Sequence, residues 1–277
     1  CGPASGWRFV SVQPGFEPHV HMLGAGPRRV LALHCTLAFG GAWGGLAKRL
    51  GDQLTFVAPD LPSHGLSADW DGQSDFPKTV IDTTLAVMDD TPMDVIGHSF
   101  GAMTALRLAA RHPEKIRTLM LFEPVFFAIA KADAPETLVD HDRAAQPFRD
   151  AVDAGDMMGA ARAFNGMWST ERGLWDSMPE RSRLAMARAI HVVPGTVPLL
   201  YDDADGIMAP GVLERLQKPV LRARGALTHA AINSTLEGLQ ARIPGAALEV
   251  IPDAGHMAPI SHPEAVARAF ESLLARG

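Results

Sequence analysis

Residues 94–116 read DVIGHSFGAMTALRLAARHPEKI. An apolar run stops at Gly97, and an alanine-rich stretch with helical spacing starts just past Ser99. One serine thus stands between two glycines, Gly97 and Gly101, where the period changes from strand to helix. G-x-S-x-G at such a junction describes a sharp, strained turn. Neighbours two residues away must be small so that strand and helix can approach, and the hydroxyl is lifted clear of the sheet. The helix start beneath it favours negative charge. A glycine-rich turn with an inert serine is the plainer reading of the same letters.

Outward from this junction, 28–34, 54–60, 93–97, 116–124, 218–225 and 247–253 each carry an apolar run, as strands buried on both faces do. The segments 7–12 (WRFVSV) and 19–23 (HVHML) alternate around QPGFEP and read as an antiparallel opening pair. Helical patterns over 44–51, 76–90, 99–112, 230–243 and 262–276 separate most of these runs. Together they predict an α/β fold, a mostly parallel eight-stranded sheet flanked by helices. Residues 126–213 hold helical patches but no good strand. The expected division is a core of 1–125 and 214–277 with a helical insertion, 126–213, over one end of the sheet.

Composition narrows the function. Charge is 25 basic against 31 acidic residues, with no like-charge block, which argues against nucleic acid as a partner. Apolar residues make up 47%, enough for a sizeable core. The two cysteines, Cys1 and Cys35, make a poor disulfide framework, so a cytoplasmic setting is expected. No C-x-x-C or H-E-x-x-H occurs, so neither metal nor cofactor is expected. No apolar stretch reads as the roughly 20 residues of a membrane span, and no signal peptide is visible. Cys1 at the start reads as a trimmed end, with a lipid-bearing cysteine as the alternative.

The chain resembles the α/β-hydrolases with a helical cap, along nearly its whole length. The resemblance rests on LALHCTLAFGGAW (31–43), DLPSHGLS (60–67), GHSFG (97–101), LFEPV (121–125) and DAGHMAPISHPEAV (253–266), in that order. His34 and Trp43 keep a nine-residue spacing found in several members. The resemblance implies Ser99 as nucleophile and His256, in a loop after the last strand run, as its base. It implies that His98 supports the turn, while His64 reads as a loop packing residue and His112 and His262 as helix-end residues.

The triad acid is harder to place. Most relatives carry it after the strand equivalent to 218–225, but here that loop reads RGALTHAAIN and has no carboxylate before Glu237. Some place it one strand earlier, where this chain has Glu123, and the order Ser99, Glu123, His256 fits. Thr228 or Asn233 as an uncharged partner, Asp253, or a bare dyad are the alternatives. The resemblance also implies an oxyanion hole from the Phe100 N–H and, after His34, from Thr36, with Cys35 in reserve because it replaces the usual glycine.

In the insertion, Met157, Met158, Met167, Met178, Met186 and Met208 stand beside Phe164, Trp168, Trp175 and Tyr201. Most read as helix core. His34, Phe126, Phe127, Trp168 and Met257 are the candidate substrate-pocket residues. The implied reaction is hydrolysis of a carboxylic ester, lactone or thioester through an acyl-enzyme on a small to medium apolar substrate. A carbon–carbon bond hydrolase, or a silent ligand-binding protein on the same scaffold, are the alternatives. The expected assembly is a monomer or homodimer.

Overall fold

The computed structural model describes residues 16–277 except Arg172. Among the described residues, seven strands form one sheet, where eight were expected: β1 (Val20–Leu23), β2 (Arg28–Leu33), β3 (Leu54–Pro59), β4 (Met93–His98), β5 (Ile116–Phe122), β6 (Val220–Gly225) and β7 (Ala247–Ile251). Their order is β1-β3-β2-β4-β5-β6-β7. β1 runs antiparallel to β3, and all other pairs are parallel. The 7–12 run, expected to pair with 19–23, lies outside the described residues.

Alternation along the buried strands explains the layers. Leu31 and Leu33 face one side with Met103 and Leu106; Val30 and Ala32 face the other with Trp43, Leu46 and Phe270. Helix α1 (Gly44–Leu50) therefore covers one face together with the C-terminal helix, Pro263–Leu274. Helices α2 (Phe76–Ala86) and α3 (Phe100–Arg111) cover the opposite face.

Between β5 and β6 lie α4 (Phe127–Asp133), α5 (Leu138–Ala144), α6 (Gln146–Asp153), α7 (Met157–Trp168), α8 (Leu174–Ser177), α9 (Glu180–Ala189) and α10 (Val193–Asp202). After β6 come α11 (Ala230–Arg242), α12 (Ala258–Ser261) and α13 (Pro263–Leu274). Helix α4 packs on α11, while Phe148, Ala160, Ala161, Trp175 and Ile190 form a small core of their own. The continuous helical run Glu180–Asp202 has 23 residues, and one 18-residue window within it reaches a mean hydropathy of 1.2. It is thus an exception to the reading that no stretch reaches span length. Its helices pack on α7, α2 and α4, and prolines 194 and 198 interrupt its backbone donors.

The chain steps from β2 outward to β3, then returns to the other side of β2 as β4. The crevice past the carboxyl ends of β2 and β4 is therefore the switch point where α/β sheets gather ligands. Register brings the strand ends level there: Leu33 pairs with Gly97, His98 with Phe122, Phe122 with Ala223 and Gly225 with Ile251.

Candidate active site

Ser99 sits between β4 and α3 with φ 56° and ψ −116°, a conformation that costs a non-glycine residue energy. This is why α3 begins at Phe100 and not at 99. The turn needs both its glycines. A Cβ on Gly97 would come within 2.6 Å of the Ala102 Cα, and one on Gly101 within 2.6 Å of the His34 carbonyl oxygen. Close packing of α3 against the β2 exit thus rests on two missing side chains. The backbone N–H of Ser99 donates to the Phe122 carbonyl at 2.9 Å, tying the turn to β5.

Glu123 ends β5 two residues earlier than its apolar run suggests, because its φ of 46° turns the chain out of the strand. Its Oε2 accepts a 2.7 Å bond from His256 Nδ1, and its Oε1 accepts one of 2.8 Å from the Gly225 N–H. Neither Thr228, Asn233 nor Asp253 takes that place on His256. Burial pushes the fully buried Glu123 carboxyl up, but the His256 bond and charge oppose it. With the Gly225 N–H and a weaker pull from the nearby Thr228 hydroxyl, they hold it below the usual carboxylate value. With Nδ1–H donated to Glu123, His256 Nε2 is left to accept a proton.

His256 lies in the loop between β7 and α12 and is 4% exposed. The His98 imidazole donates from Nε2 to the His256 carbonyl at 2.8 Å, so the residue before the serine steadies the loop that carries His256. Trp168 covers the His256 ring, with centroids 4.2 Å apart. Ser99 and His256 line one cavity, although no hydrogen bond joins them. Such contacts commonly tighten only when a substrate binds.

The loop after β2 is clamped by two histidines. His34 donates from Nδ1 to the Cys35 carbonyl at 2.8 Å and accepts from the Leu61 N–H at 3.0 Å. His64 donates from Nδ1 to the Pro62 carbonyl at 2.9 Å and accepts from the Leu37 N–H at 3.1 Å. Burial, the largest influence on each, pushes His34 down to about 4 and His64 to about 3, so both stay neutral. The Leu37 amide is thus occupied, while Thr36 lines the cavity beside Ser99. The Phe100 N–H, in the first turn of α3, has no intrahelical acceptor. The Cys35 thiol is buried, and burial pushes it up to about 12, which makes it a poor nucleophile.

Two cavities meet at the serine. The larger, about 550 Å³, is lined by Cys35, Thr36, Ser99, Trp168, His256 and Met257, among others. The smaller, about 280 Å³, shares Thr36, Ser99, Phe164 and Trp168 and adds Val125, Phe127, His141, Leu200 and Tyr201.

Two expected pocket residues lie elsewhere. Phe126 is completely buried in the core as the residue capping α4, and His34 lines neither cavity because both its nitrogens serve the backbone. Of the methionines, Met186 faces the larger cavity and Met167 the smaller. Sequence reading missed His141, whose setting in VDHDR gives no signal, and left Tyr201, the single tyrosine, among helix-core residues.

Among the described residues, one group could gather around a cation: His19, His21 and Asp60. The Asp60 oxygens already accept from the Gly40 and Leu66 N–H groups, at 2.6 and 2.8 Å, as well as facing His21 Nε2 at 3.1 and 3.2 Å. The carboxylate thereby serves as a clamp between the loops.

Comparison with known proteins agrees with this layout. Residues 30–269 match a family model described as "Alpha/beta hydrolase family". A Mycobacterium tuberculosis protein named Lipase LipV is 29% identical over 267 residues, which cover 92% of this chain and 97% of that one. A Neisseria meningitidis pimeloyl-acyl-carrier protein methyl ester esterase is 29% identical over 237 residues, covering 83% of this chain and 71% of the relative. Among solved structures, a Pseudomonas aeruginosa hydrolase superposes with a TM-score of 0.73 at 21% identity, covering 95% of this chain and 99% of that chain. A thermophilic esterase from Thermogutta terrifontis superposes with a TM-score of 0.68, also at 21% identity, covering 96% of each chain. At such identities the two structures attest the fold alone.

Proposed function

Given that the chain belongs to the alpha/beta hydrolase family, we propose that it hydrolyses carboxylic esters through an acyl-enzyme on Ser99. The observation that carries this reading is the 2.7 Å Glu123–His256 bond set beside a serine on the same cavity wall.

Ser99 Oγ attacks the ester carbonyl while His256 Nε2 takes its proton. Glu123 holds the imidazole tautomer and stabilises its charged form. The negative charge that builds on the carbonyl oxygen meets the N–H groups of Phe100 and Thr36, with Cys35 the reserve donor. His256 returns the proton to the departing oxygen. Water, activated by the same imidazole, then releases the acid.

The substrate is small to medium and mainly apolar, in keeping with walls built from Val125, Phe127, Phe164, Trp168, Met186 and Met257. Residues 126–213 act as a cap, since α7, α9 and α10 supply wall residues to the cavities. Two relatives named as a lipase and a methyl ester esterase support ester chemistry, and lactones and thioesters yield to the same machinery. The free, buried Cys35 suits a reducing compartment, and we place the enzyme in the cytoplasm.

Turnover of p-nitrophenyl esters of graded acyl length tests the reading. Wild type turns over the short and medium esters, and Ser99→Ala loses about 10⁴-fold or more in kcat. Unchanged turnover in Ser99→Ala refutes it.

A further inference from the structure

The smaller cavity holds a polar pair, His141 and Tyr201, among apolar side chains, with Asp142 and Arg149 also on its wall. His141 Nε2 lies 2.9 Å from the Tyr201 hydroxyl, while Nδ1 has no hydrogen-bond partner among the described residues. The imidazole is only 7% exposed and packs against Phe127, at 4.5 Å between centroids, and Trp168, at 5.5 Å. An imidazole nitrogen left without a protein partner is free to hydrogen-bond to a ligand beside it. Both residues line the cavity, so a ligand there can reach that position.

The chemistry at Ser99 says which part of a substrate arrives. His256 must hand its proton to the departing oxygen, so the alcohol half of an ester lies on the His256 side. His256 and Met257 line the larger cavity and not the smaller one. The acyl half therefore enters the smaller. Trp168 touches both the His256 and His141 rings, which places the polar pair one indole away from the reacting centre.

Burial pushes His141 down to about 4, with Asp142 pulling it up and His229, Arg149 and His256 adding to the fall. The pair is therefore uncharged at neutral pH. It presents one donor and one acceptor, whichever tautomer it adopts. A neutral oxygen fits this arrangement; Arg149 also lines the cavity, but its guanidinium is already bonded to the Gln146 side chain and the Asp142 carbonyl, and the Asp142 carboxylate beside it opposes a second anion.

We propose that the smaller cavity is the acyl subsite, and that His141 and Tyr201 select acyl chains bearing a neutral hydroxyl or keto oxygen a few carbons from the scissile carbonyl. This rests on the reading of Ser99 as an ester-cleaving nucleophile.

Ethyl levulinate and its methyl-for-oxygen counterpart, ethyl isocaproate, separate the two claims, with monoethyl succinate as the charged arm. The full-length enzyme prefers the keto ester over the branched alkyl ester by about tenfold in kcat/KM, and over the succinate anion as well. In Tyr201→Phe, which removes one hydroxyl, that ratio collapses towards one; His141→Phe serves as the second variant should the first not fold. A wild-type ratio at or below one, a preference for the anion, or a ratio unchanged in both variants overturns the subsite. Turnover of none of the esters overturns the reading of Ser99 and the subsite with it, whereas turnover without preference overturns the subsite alone.

Discussion

Glu123 and Ser99 both adopt left-handed backbone conformations, with φ of 46° and 56°, each just past the end of a buried parallel strand. Neither is glycine, so each turn is strained, and the surrounding packing must hold it. The strain has a common effect: it swings one functional side chain out of the sheet and onto its rim. For Glu123 this brings Oε2 to His256 while Oε1 stays pinned by the Gly225 amide. Glu123→Gln keeps the shape but cannot support the imidazolium. Its kcat on p-nitrophenyl esters should fall about 10³- to 10⁴-fold with the far-ultraviolet circular dichroism unchanged; near-native kcat removes Glu123 from the mechanism. At this scale the sequence was partly legible. Ser99 stood out because Gly97 and Gly101 are demanded by sterics that repeat wherever such a turn forms. Glu123 emerged only from chain order, since a carboxylate after β5 has no local signature. Phe126 and His34 were misplaced because an aromatic beside a site residue can point to core or cavity, and an imidazole can spend both nitrogens on backbone.

Among the elements, the loops after β2 and β3 are joined by neutral histidines and not by ion pairs. His34 reaches Leu61 and His64 reaches Leu37, with their rings 5.1 Å apart. The arrangement sets the loop that carries Thr36, and it imposes a pH dependence. In the native state burial keeps His34 down to about 4 and His64 to about 3, against an ordinary 6.5. Between those values the unfolded chain binds protons that the native chain refuses, so stability falls as pH falls below 6.5. Each imidazole contributes roughly 1.4 kcal/mol per pH unit in that window. Urea midpoints measured from pH 7 to pH 5 should therefore drop steadily, with a shallower slope in His64→Gln. A flat profile in wild type would contradict the clamp. His64 read as a packing residue in the sequence, which captured its burial but not its bond to the Leu37 amide. That bond joins two loops 27 residues apart, and no periodicity reports such a contact.

For the molecule as a whole, strand and helix alternation carried the fold. Short apolar runs bounded by turn residues and alternating with helical stretches fit strands covered on both sides, and the right-handed crossover rule leaves few ways to connect them. The helical stretch between β5 and β6 was visible as the absence of strands. The way α7, α9 and α10 divide the space above Ser99 into two cavities was not. It depends on how Phe164 packs on Trp168 and Trp168 on His141 and His256, which no residue count encodes. The proposed mechanism turns on one chemical event, proton transfer between the side chains of Ser99 and His256, which 157 positions separate. Labelling with a fluorophosphonate, followed by peptide mass mapping, tests that event most directly. A single adduct on the Ser99 peptide, lost in Ser99→Ala and slowed severely in His256→Gln, is the predicted result. An unlabelled Ser99, or labelling that His256→Gln leaves at full speed, would contradict it.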